Sequence, residues 1–197
     1  VLLSIAIGGG TLFVFKNRPD MEPNAVLVLL WRVMAVFVLI LAAPLLPDER
    51  SGGTLEILWL ACGSFRRLLR WKTFAVATAA TLCIVPVVLV ADWFFGGRLA
   101  GGWEIVFLIT QSLLATTWMF YVGSYLPQPW AGGLVAGAIF LAVEWPLSAA
   151  GSGFNPFIQF YTGGATTVGL GTFFLSRVVI LFLVWFFHDQ ASRRIRR

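Results

Sequence analysis

Asp48-Glu49-Arg50-Ser51-Gly52-Gly53-Thr54-Leu55-Glu56-Ile57-Leu58-Trp59-Leu60-Ala61-Cys62-Gly63-Ser64-Phe65-Arg66-Arg67-Leu68-Leu69-Arg70-Trp71-Lys72 is the longest polar interruption in an oily chain. Eight of these residues are charged, and apolar runs flank them on both sides. Such a charge cluster belongs in water or at the headgroup boundary, because burying it in hydrocarbon is expensive. The segment therefore joins two membrane spans and is exposed to partners. Within it, Leu55 to Leu60 has a short helical pattern, Gly63 breaks it, and Ser64 is a good N-cap for the helix that follows.

Composition points the same way. The 197 residues are 59% hydrophobic and 12% charged, with mean hydropathy +0.87. A soluble domain carries roughly 25% charged residues. Several apolar runs approach the length needed to cross a bilayer. The runs do not alternate as barrel strands would. The expected class is all-α: a polytopic membrane protein with six spans, near 1–15, 26–46, 73–93, 105–126, 130–147 and 172–188. The 48–72 segment supplies a short cytoplasmic helix between spans two and three. Residues 151–171 are too polar for a span and too aromatic for a free loop. A re-entrant or interfacial helix near 155–161 fits them, between spans five and six.

The first run is short for a core about 30 Å thick. Val1 opens it without a methionine, so we read the chain as a fragment or processed form. Pro86 should kink the third span or be accommodated by its neighbours.

The net charge of +5 does not imply nucleic acid. If 48–72 faces the cytoplasm, that side holds Arg50, Arg66, Arg67, Arg70, Lys72 and the arginines at 193, 194, 196 and 197. The other side holds Lys16, Arg18 and Arg98. This asymmetry favours a cytoplasmic central stretch and C-terminus in a multi-pass protein, which we expect in the cell (inner) membrane.

Catalytic constellations are sparse. Gly8-Gly9-Gly10 lacks the lysine of a phosphate loop and reads as close helix packing. His188 is the single histidine. Beside Asp189 it is either a proton shuttle or an interfacial cap. Cys62 and Cys83 have no metal spacing. Asp92, Glu104 and Glu144 fall near the outer face. Span four carries a polar side with Thr110, Gln111, Thr116 and Thr117. Arg32, Gln111, Glu144 and Arg177 are the intramembrane polar residues that can line a pathway. Arg32 can instead snorkel to the headgroups or pair with a carboxylate.

The Glu49-Arg50-Ser51-Gly52-Gly53-Thr54-Leu55-Glu56-Ile57-Leu58 run, followed by Ser64 and by Lys72 opening the third span, resembles the ABC-2 type transporter permeases. Their pattern is a Glu-Arg pair, a Gly-Thr-Leu-Glu core, a leucine-rich turn, then Pro-x-Ser and Gly-Lys. Cys62 stands where proline is frequent, and Trp71 where glycine is. Asn155-Pro156-Phe157 through Gly163-Gly164, with a last span and basic tail, looks like the branch containing gliding-motility and nitrous-oxide-reductase-associated permeases. The resemblance implies a transport subunit, not an enzyme, in an exporter. It binds no cofactor itself; ATP and Mg reside on a separate ATP-binding subunit. A second permease copy or relative completes the pathway within the lipid bilayer. Contact with the ATP-binding subunit falls to Glu49, Arg50, Gly53, Thr54, Leu55, Glu56, Leu58 and Trp59. Charges there set register and apolar residues supply affinity. The alternative is a membrane-embedded assembly factor or enzyme without an ATPase partner. A secondary transporter is a further rival, but the halves show no repeat.

Overall fold

The apolar runs on either side of the polar stretch fold as helices, the only spanning form in which one segment satisfies its own backbone. A computed structural model describes residues 33–38, 40–43, 45, 52–94, 102–126, 129–148 and 169–195. Among these residues there is no strand. In chain order the helices are α1 (Val33–Ala42), α2 (Thr54–Cys62), α3 (Phe65–Phe94), α4 (Gly102–Gly123), α5 (Pro129–Ser148) and α6 (Leu170–Ile195). Three segments are long and apolar enough to cross a membrane: Phe65–Val90, Ile105–Gly123 and Gly171–Arg194. The apolar parts of α1 and α5, Val33–Ala42 and Gly133–Glu144, are shorter. The expected first span and the re-entrant segment near 155–161 lie outside the described residues.

Helix α4 is the hub. It packs against α3, α5 and α6, while α3 also meets α6 and α2. Its span is 56% buried, against 33% for α3 and 22% for α6, so the other helices ring it and turn most of their surface outward. Leu108, Leu114, Ala115, Met119 and Phe120 fill its buried sides. Met34, Ala35 and Val38 of α1 join the same core as Ala80, Ile84 and Val88 of α3. A narrow crevice remains between α1 and α3, lined by Phe37, Cys83 and Val87 among others. Trp118 of α4 donates its indole N–H to the Ala136 carbonyl of α5 at 3.0 Å, tying these two helices. Gly133 of α5 approaches α1 so closely that an added Cβ would lie 2.8 Å from Ala43 Cβ.

Two helices are longer than their apolar runs. The basic residues at 66–72 continue into the third expected span without a break, so α3 starts at Phe65. Likewise α6 runs through the expected tail to Ile195. Arginine is a good helix former, so a charged end does not stop a helix; it only moves it out of hydrocarbon. Pro86 lies within α3, which continues to Phe94. Its missing N–H leaves the Leu82 carbonyl without the usual helical donor.

Candidate functional site

Within the polar stretch a short helix stands off from the next one because two glycines adopt a conformation other residues resist. Gly53 (φ 68°) precedes α2 and Gly63 (φ 71°) ends it, both left-handed. The Gly63 N–H closes the helix on the Trp59 carbonyl at 2.9 Å. Ser64 then starts α3, its Oγ accepting from the Arg67 N–H at 3.2 Å, as an N-cap should. Trp59 stacks on Phe65 across the turn, with ring centroids 5.2 Å apart and planes 10° from parallel.

The faces of α2 are now distinct. Leu55 is buried in the bundle's own core, and Leu58 is half-buried against it. Thr54 and Glu56 are exposed, together with Gly53. Ile57 is 67% exposed and Leu60 74%, so the outward apolar surface is theirs, with Trp59 at its edge. The sequence pattern points to Leu55, Leu58 and Trp59 for this role and does not mark out Ile57 and Leu60. In a nine-residue helix that is apolar nearly all round, periodicity does not tell the inward face from the outward one. Glu49 and Arg50 lie outside the described residues, as does Arg32.

Beneath α2, the start of α3 and the end of α6 are clasped by charge. Arg66 Nη2 sits 2.5 Å from Asp189 Oδ1, and Arg193 Nε sits 2.7 Å from Asp189 Oδ2. Arg194 lies over the Tyr125 ring, 5.1 Å from its centroid, so the end of α4 joins the same boundary. Lys72 donates to the Leu45 carbonyl at 3.4 Å, which brings in the chain after α1. His188 is half-buried beside this cluster, and its Nε2 has no hydrogen-bond partner among the described residues. The i,i+4 spacing of Asp189 and Arg193 is visible in the sequence. The link to Arg66, 123 positions away, is not.

Toward the opposite end of α6, Arg177 is buried at 5% exposure. It donates to Thr110 Oγ1 at 2.9 Å and to Ser176 Oγ at 2.6 Å. Its guanidinium also lies over the Phe107 and Phe173 rings, at 5.2 and 4.7 Å. Cation–π contact offsets part of the cost of a charge held away from water. Gln111 and Glu144 are fully buried as well. Counting residues along the helices places Thr110, Gln111, Glu144 and Arg177 within the halves of α4, α5 and α6 that lie away from the Asp189 end of α6. By contrast, the Thr116 and Thr117 hydroxyls donate to carbonyls of their own helix, at 2.7 and 2.9 Å. Thr110 makes the same kind of bond, to the Val106 carbonyl at 2.8 Å, while accepting from Arg177. Among the described residues, no three His, Cys, Asp or Glu side chains form a metal-binding group.

Comparison with known proteins yields no match to a family model, to a curated protein or to a solved structure.

Proposed function

We propose that this chain is the permease subunit of an ABC-2 type transporter, an exporter, with six spans and a cytoplasmic C-terminus. The observation that carries this reading is the form of α2. It is a short helix, set apart by two left-handed glycines, anchored inward by Leu55 and presenting Glu56, Ile57 and Leu60 outward. A transporter driven by a separate ATPase needs a rigid handle, and a rigid helix transmits force where a loop would deform. The Gly53-Thr54-Leu55-Glu56 pattern of the family falls on this helix. The nine-to-three distribution of basic residues supports a cytoplasmic position for it. In this reading ATP and Mg are held by the partner, and a second permease subunit completes the pathway. Gln111, Glu144 and Arg177, with Arg32, are its intramembrane polar residues.

The experiment is site-specific photo-crosslinking from Ile57 and from Leu60 in native membranes. The expected product is an adduct with an ATP-binding protein whose yield changes with added nucleotide. In the reconstituted complex, Glu49→Ala with Glu56→Ala should lower transport-linked ATP hydrolysis by about tenfold or more, equivalent to about 1.4 kcal/mol. A charge removed from an interface core commonly costs about 2–5 kcal/mol. Adducts with lipid alone would mean that α2 lies on the headgroups, and the permease reading would fall.

A further inference from the structure

The positive-inside rule explains why arginines gather at one end of the bundle, but not why a carboxylate stands among them. Asp189 is a carboxylate set directly between two of them. Its side chain is 12% exposed, and each of its oxygens holds a different arginine, one from α3 and one from α6. The arginines are not consumed by it. A guanidinium has five N–H donors, and the contacts to Asp189 use Nη2 of Arg66 and Nε of Arg193. The two side chains remain 50% and 67% exposed. One carboxylate between two guanidiniums leaves an excess positive charge, and it fixes two forks side by side that would otherwise repel.

The location narrows what such a fork pair meets. Trp71 is 66% exposed one residue before Lys72, and Tyr125 is 50% exposed beneath Arg194. Aromatic rings of this kind mark the headgroup level at the end of a span. Basic pockets between helix ends at this level are suited to anionic lipid headgroups. Phosphate oxygens match paired guanidinium donors better than point charges do.

We propose that the Asp189-held pair, Arg66 and Arg193, is a binding site for the phosphodiester of an anionic phospholipid in the leaflet at the basic end of the bundle. The site joins α3 to α6, so a bound lipid bridges the two helices. It does not depend on the permease reading.

The test is native mass spectrometry of the full chain in non-ionic detergent, titrated with phosphatidylglycerol and with phosphatidylcholine of the same acyl chains. Phosphatidylglycerol should bind preferentially. Arg66→Lys with Arg193→Lys keeps the charge but loses the forks, and should weaken that binding by about tenfold. Arg67→Gln with Arg194→Gln removes two charges from the same end and should weaken it far less. Asp189→Asn gives a test of sign. It makes the end more positive, so simple attraction predicts tighter binding, whereas loss of the clasp predicts weaker binding. Thermal unfolding of each variant in the same detergent verifies that it is folded. Equal binding of the two lipids, tighter binding by Asp189→Asn, or displacement of the lipid by inorganic phosphate would each overturn the proposal. An unchanged Lys variant would do the same.

Discussion

Gly63→Ala isolates the conformational cost of the turn between α2 and α3. A Cβ at Gly63 would meet nothing within 4 Å, so no clash contributes. What remains is the left-handed backbone, φ 71°, which costs an L-residue about 1–2 kcal/mol. The chain can escape that strain by straightening α2 into α3. Doing so would remove the Ser64 cap, the Trp59–Phe65 stack and the burial of Leu55, together about 3–5 kcal/mol. The second cost exceeds the first, so the turn should persist under strain. Unfolding in mixed micelles should show a loss of about 1–2 kcal/mol. Gly63→Asn should lose less, because Asn enters the left-handed region more readily. Spin labels at the exposed positions Ile57 and Phe74 report the geometry. A single unbroken helix would separate those residues by about 26 Å along its axis. A distribution moving to that distance in Gly63→Ala, or a stability equal to the parent's, would refute the reasoning.

Other substitutions probe the packing. Ser64→Ala should cost about 1 kcal/mol in the same unfolding assay while Ser64→Thr stays near the parent, since a hydroxyl cap is retained. Gly133→Ala should destabilise by about 1–3 kcal/mol through overlap with Ala43, and a double-mutant cycle with Ala43→Gly should recover most of the loss. Phe120→Ala should cost about 3–5 kcal/mol by leaving a core cavity, whereas Phe182→Ala, on the outward face of α6, should cost far less. Arg177→Lys cannot reproduce the planar fork that reaches both Thr110 and Ser176, and should cost about 1–3 kcal/mol; equal unfolding curves would contradict the two-bond geometry.

The sequence made the class legible because hydrocarbon filters composition so severely. Low charge and long apolar runs leave few alternatives to helices. Gly63 and Ser64 are legible for a different reason: each acts on the local backbone, within four residues of itself. The azimuth of each helix was not legible. Leu55 looked as available as Ile57, and the inward turn of one follows from α3, not from the local pattern. The same holds for Arg177, which was readable as a charge inside a span while its seat between Phe107 and Phe173 was not. Helices α3 and α6 extend beyond their apolar runs because charge marks where hydrocarbon stops, not where hydrogen-bonded helix stops. In the sequence Asp189 has only His188 beside it to suggest a role. Its role depends on Arg66, on a helix more than a hundred residues earlier.

The arrangement around α4 has a consequence for biosynthesis. Helices enter the bilayer from the ribosome in chain order, and α6 carries Arg177, the residue that lipid accepts least. An arginine at the centre of a span costs about 2.5–3.5 kcal/mol at insertion, and Arg177, about two turns from the start of α6, bears part of that cost when nothing receives it. By the time α6 emerges, α4 has already been delivered, and with it Thr110 and the Phe107 ring that hold the guanidinium. The hub thus serves as a template on which a poorly inserting helix is captured. A chain with α4 and α6 exchanged would offer the same contacts in the finished fold, yet would ask α6 to enter the membrane before Thr110 and Phe107 were there to receive Arg177.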